Sequence, residues 1–159
     1  MVKKVELVEP IKKSQHTHRT LNLENIWRRT PDVYKQRATN YAKFKSLKRR
    51  VSKADGRTVI LSVIYTTHDH NGNKKENPDL HYQQVIQLQP HKKIWNSKCK
   101  VSCSCLDFLF MDEVALFKSA NTDIMFSNGE LPVIKNPSMR KQYCKHLVKL
   151  VVTLKQRGW

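Results

Sequence analysis

Two short motifs, Cys103-Ser104-Cys105 and Cys144-Lys145-His146, constrain this chain more than any other feature. Each carries two metal-ligating side chains separated by one residue. On a strand, positions i and i+2 face the same side, so both thiols of the first pair can reach one ion. The second pair stands at the expected start of the final helix, one member just before the first turn and the other inside it. Three sulfurs and one imidazole complete a tetrahedral set for Zn²⁺ and leave no open coordination position. The expected ion is therefore structural; a catalytic site would keep a place for water.

The other cysteine, Cys99, shares the parity of Cys103 on the same expected strand. It stands either as a reserve ligand or as a plain packed thiol. A Cys103–Cys105 disulfide is disfavoured, because alternate strand residues rarely reach bridge geometry. Three thiolates on a divalent cation carry a net charge of −1. Lys98, Lys100, Lys145 and Lys149 are close by in sequence and are expected to lower the thiol pKa values and donate hydrogen bonds.

With 159 residues, the chain is sized for one domain, with or without an extended arm. Its formal charge of +17 draws it to polyanions such as nucleic acid, anionic lipid or an acidic protein surface. Most of the excess, +10, falls in residues 1–56. No apolar run approaches a membrane span. The opening MVKKVELVEP lacks the apolar core of a secretory signal, so a reducing compartment is expected, and with it free or metal-bound cysteines.

Residues 1–24 read as an extended basic arm with a short strand at Val5–Val8. Residues 25–56 read as a basic helix opening at Thr30-Pro31-Asp32, with Thr30 as its cap and Pro31 in its first position. Tyr34, Ala38, Tyr41, Phe44 or Leu47, and Val51 recur at spacings of three or four along it. Lys43, Lys45, Lys48, Arg49, Arg50 and Lys53 crowd its second half and are the candidate nucleic-acid contacts.

Residues 57–159 read as the zinc-binding domain. Thr58–Tyr65 and Tyr82–Leu88 form an antiparallel hairpin with a long polar tip, and a third strand spans Lys98–Ser104. A helix follows near Asp107–Ala120, then a loop at Ser127–Pro137. A closing helix over Tyr143–Arg157 ends at Gly158. The fold class is α+β: a small antiparallel sheet with a zinc-pinned C-terminal helix, preceded by the basic helix and arm.

The CSC…CKHL pattern, with strands before the first pair and a helix at the second, resembles the SWIM zinc finger, a ββα unit with a CxC…CxH signature. The likeness spans roughly Thr58 to Leu154. Residues 106–143 form an insert longer than is usual in that family. With SNGELPVIKNP ahead of CKHL, the insert looks like short SWIM-type proteins of tailed bacteriophages. The resemblance implies a non-catalytic virion or assembly component, in a particle or the host cytoplasm, contacting other protein chains and nucleic acid. A free DNA- or RNA-binding accessory protein is the alternative.

Weaker signals fit the same picture. His68, His70 and His81 read as solvated histidines of the hairpin tip rather than a second metal site, as do His16 and His18 of the arm. Trp27, Trp95 and Trp159 suit base stacking or an interface, with Trp159 as an anchor. The scattered glycines form neither a P-loop nor a dinucleotide loop. No zincin, deaminase or nucleophile-elbow pattern occurs, and acidic residues are too dispersed for a two-metal nuclease. No enzyme, small-molecule substrate or membrane role is expected.

Overall fold

The computed structural model describes residues 20–69, 71–76, 81–123 and 127–159. The arm's Val5–Val8 strand, His16, His18 and His70 lie outside the described residues. The elements run α1 (Leu23–Arg29), α2 (Asp32–Tyr41), β1 (Ala42–Val51), β2 (Thr58–Thr66), β3 (His81–Leu88), β4 (Cys99–Cys103), α3 (Glu113–Phe117) and α4 (Lys145–Arg157). A 3₁₀ turn at Ile94–Asn96 precedes β4, and a wide π-type turn at Phe108–Asp112 leads into α3. The four strands form one antiparallel meander in chain order.

The basic helix expected through residue 56 stops at Tyr41, and its second half is β1. A bulge explains the difference. Lys45 has no partner in the register, because pairing jumps from Phe44↔Ile64 to Ser46↔Val63. Inward parity therefore switches from Ala42 and Phe44 to Leu47, Arg49 and Val51. The bulge breaks the two-residue alternation, so the apolar positions fall three or four apart and imitate a helical face. Pairing with β2 overrides the local propensity.

Thr30 also differs from expectation. It closes α1 rather than opening α2, donating its hydroxyl to the Ile26 carbonyl (2.9 Å) and accepting the Tyr143 N–H (2.9 Å). Pro31 takes the N-cap of α2. Buried Thr30 thus ties the first helix to the entry of the last.

Directly opposed residues share a face, so the inner rows of the sheet can be read across the strands. Ile60, Ile86 and Val101 form one row, and Ser62, Gln84 and Cys103 another. Helix α4 lies on this face, touching all four strands, and α2 packs against α4. Leu147, Leu150, Val151 and Leu154 are buried between the layers, each contributing about 1.5–3 kcal/mol relative to exposure. Gly158 ends α4 in the left-handed region (φ 65°), its N–H reaching the Leu154 and Lys155 carbonyls.

The two sheet edges are treated differently. The β4 edge is covered: Cys99 N–H donates to the Leu21 carbonyl (3.3 Å) and Val101 N–H to the Asn121 carbonyl (2.7 Å). The β1 edge carries exposed Lys43, Lys45, Lys48 and Arg50, charges that discourage strand addition.

Candidate metal centre

Cys103 ends β4, and Cys105 lies two residues on, in the turn before the π-type segment. There the Phe108 N–H donates to Cys105 Sγ (3.4 Å). Cys144 is the N-cap of α4 and His146 lies in its first turn, so the positive end of a thirteen-residue helix faces the thiols. The four ligand atoms lie within 4.8 Å of one another, and all four residues are buried. Cys103 Sγ and His146 Nδ1 are 3.9 Å apart. Donors around one tetrahedral transition-metal ion would stand roughly 3.6–3.8 Å apart, given metal–ligand bonds of about 2.0–2.3 Å.

The electrostatics call for a cation. Burial, together with the neighbouring thiols, holds Cys144 well above the usual thiol range, and burial does the same for Cys103. Hydrogen bonds from Cys103 and Cys144 bring Cys105 well below it. The His146 ring packs on Tyr82 (centroids 4.8 Å), and its Nε2 has no hydrogen-bond partner among the described residues. A buried imidazole whose polar contact is a sulfur loses hydration without replacement unless a ring nitrogen binds a metal. The donor set, the spacing and the burial all fit a bound ion.

Two of the four lysines expected around the thiols are paired with carboxylates. Lys145 pairs with Asp107 (3.1 Å) and Lys100 with Asp123 (3.0 Å). The supporting donors are instead the Phe108 N–H and the Gln84 amide, whose Nε2 donates to Cys103 Sγ (3.5 Å) and to the Tyr82 carbonyl (2.7 Å). Ser62 Oγ orients that amide by donating to Gln84 Oε1 (2.8 Å). Sequence reading missed this polar row. Its one signal was a glutamine at an inward position of β3.

Cys99 is a packed thiol outside the cluster. Burial pushes it up to about 12, and its Sγ faces the Leu21 carbonyl at 3.7 Å. His68 stacks on Tyr41 (4.4 Å) and His81 packs edge-on against Tyr65 (5.6 Å). Neither joins a metal-ligand group among the described residues.

The candidate nucleic-acid residues divide between surfaces. Lys43, Lys48 and Arg50 oppose Tyr65, Leu61 and Val59 on the outer face of the sheet. Lys45 sits at the bulge, and Lys53 in the turn after β1. Arg49 is on the inner-face parity, where its guanidinium lies 5.7 Å from the Trp159 ring, which also meets Arg157 at 5.1 Å. Trp159 thus packs on its own chain.

Behind the cluster, Asp112 is fully buried. Its Oδ1 accepts from Gln142 Nε2 (3.0 Å), while Oδ2 has no partner among the described residues. Burial raises its pKa well above the usual carboxylate value. Its favourable contribution is complete below the unfolded value near 4 and is lost as pH rises through the raised folded value. Asp112→Asn keeps the Gln142 bond without the ionisable group. We expect it to raise stability at neutral pH, with the gain vanishing near pH 4. Thermal melts at the two pH values check this, and an equal or lower neutral melting point contradicts it.

Fold and site together define a small α+β chain whose Cys103, Cys105, Cys144 and His146 cluster could bind a metal ion. Compared with known proteins, the chain matches no family model, no curated protein and no solved structure. Among the described residues, no helix is long and apolar enough to cross a membrane.

Proposed function

We propose that this is a non-catalytic, zinc-stapled basic module that binds a polyanion within a larger assembly. The observation that carries the reading is the closed, buried Cys₃His set. All four coordination positions are supplied by protein, so the ion has no place for a substrate or an activated water. Zinc suits the set because thiolate-rich tetrahedral sites favour it. The row of Lys43, Lys48 and Arg50 on the open sheet face supports polyanion contact by counterion release. The likeness to short phage-encoded SWIM proteins favours a virion setting among other protein chains over a free accessory protein. Mass spectrometry of purified particles distinguishes these settings.

Reversing Lys43, Lys48 and Arg50 to Glu should weaken duplex DNA binding and flatten its dependence on log salt by at least about 2.7, from roughly 0.9 per phosphate contact. Zinc content and melting temperature should hold, because all three side chains are exposed. Filter binding across a salt series measures it. An unchanged slope would move the contact away from β1.

A further inference from the structure

On the side of the molecule that carries α1, two neighbouring hollows are lined by cations, and one of them also by two tryptophans. The larger, about 530 Å³, is lined by Trp27, Trp95, Arg28, Lys93 and Lys155 together with Glu24 and Asn96. The smaller, about 420 Å³, is lined by Arg28, Arg29, Lys35 and Arg140 with Thr30, Pro31 and Asp32. Arg28 borders both. Lys35, which lines the second hollow, lies over the Trp27 ring that lines the first, at 4.8 Å. The two hollows therefore form one continuous surface.

We infer that this surface is a binding site for single-stranded nucleic acid, a base entering the Trp27–Trp95 groove while the adjoining backbone phosphates lie against Arg28, Arg29 and Arg140. The inference rests on the proposed polyanion-binding role and assigns it a second, base-dependent site away from β1.

Three features support that occupant. The rings meet edge to face (centroids 6.2 Å, interplanar angle 63°), and both line the larger hollow, where they offer aromatic surface to a base. Both are only partly buried. The lining holds six cations, Arg28, Arg29, Lys35, Lys93, Arg140 and Lys155, against the two carboxylates Glu24 and Asp32. The carboxylates are engaged by Arg28 (2.7 Å) and Lys35 (3.3 Å), whereas Arg29 and Arg140 have no ion pair among the described residues. This charge excludes a cationic ligand from the aromatic groove. Lys155 lies over Trp95 at 5.2 Å; a stacking base would displace it from the ring and release the ammonium to a phosphate. Stacking supplies affinity that polyphosphate cannot match, and it tolerates sequence because every base has a π-face.

The test titrates zinc-loaded full-length protein with oligothymidylate, a phosphate-matched abasic oligomer and duplex DNA at one ionic strength, following tryptophan emission and anisotropy. Oligothymidylate should bind about ten-fold or more tighter than the abasic oligomer and quench the emission. Trp95→Ala should remove that preference while leaving abasic binding intact. The surface pair Lys93→Ala/Arg140→Ala, which leaves the rings in place, should weaken both single-stranded probes and reduce the salt slope by about 1.4. Equal affinity for oligothymidylate and abasic oligomer, or an unchanged preference in Trp95→Ala, would overturn the site. A base preference that survives reversal of Lys43, Lys48 and Arg50 supports the groove even if β1 binds nothing. Salt-dependent binding without base preference overturns the groove while leaving the β1 reading intact.

Discussion

Replacing Cys105 by Ser or His146 by Ala is expected to release the metal and melt the packing of α4 on the sheet. Structural zinc contributes an apparent ~10–16 kcal/mol in small domains, as much as or more than the roughly 5–15 kcal/mol that holds a whole domain folded. The local structure offers no substitute for the ion. Cys144, the N-cap of α4, makes no side-chain capping bond. Cys103 and Cys144 are both pushed up by burial, so losing one ligand and the ion leaves buried polar groups that the Gln84 and Phe108 donors only partly satisfy. Elemental analysis should fall from one ion per chain to none, with a large drop in melting temperature by circular dichroism. Cys99→Ala, outside the cluster, should keep the full metal content. Unchanged melting and stoichiometry in both ligand variants would refute the closed site.

The second large effect is expected at Asn121, which touches no metal ligand. Its Nδ2 donates to the carbonyls of Leu21 (2.8 Å) and Cys99 (2.7 Å), and its Oδ1 accepts from Leu21 N–H (3.1 Å) and Ser119 Oγ (2.7 Å). One buried amide thus ties the chain before α1 to β4, which carries Cys103. Ala120 adopts φ 57° just before it, an uncommon conformation for a residue with a Cβ and one that the surrounding bonds hold in place. Asn121→Ala strands the Cys99 carbonyl and the Leu21 N–H, each worth about 1–3 kcal/mol when left unpaired, while the Leu21 carbonyl keeps the Cys99 N–H. We expect a net loss of about 3–4 kcal/mol in denaturant melts, with faster amide exchange at Cys99 and Val101. Asn121→Asp should be worse, since it turns a donor into an acceptor facing two carbonyls. A loss below about 1 kcal/mol would show that water replaces the amide.

Much of the architecture was legible because it rests on local pattern. The β-branched apolar run of β2, the alternation of β3, the turn residues between them, and the Leu147–Leu154 periodicity ended by Gly158 all carry their structure in neighbouring residues. The ligands were legible for a similar reason. Donors one residue apart, on a strand end and a helix start, have few other arrangements that bring four of them to one point.

The misread parts share another cause. In β1 a one-residue bulge turned a strand's alternation into a helix-like spacing. Thr30 resembles a helix cap, yet its hydroxyl serves Ile26 and Tyr143, 113 positions away in the case of Tyr143. Lys145 and Lys100, near the thiols in sequence, are directed to Asp107 and Asp123, while the amide that reaches Cys103 comes from β3.

From its sequence alone, the chain determined which side chains could bind an ion, that β2 and β3 would pair and where the last helix would end, because each reading rests on short motifs of neighbouring residues. The tertiary structure alone decided which charges stay exposed, which amides solvate the buried groups, and that Trp27 and Trp95 meet beside a row of cations. Those outcomes depend on which distant segments come into contact, and no spacing along the chain records that.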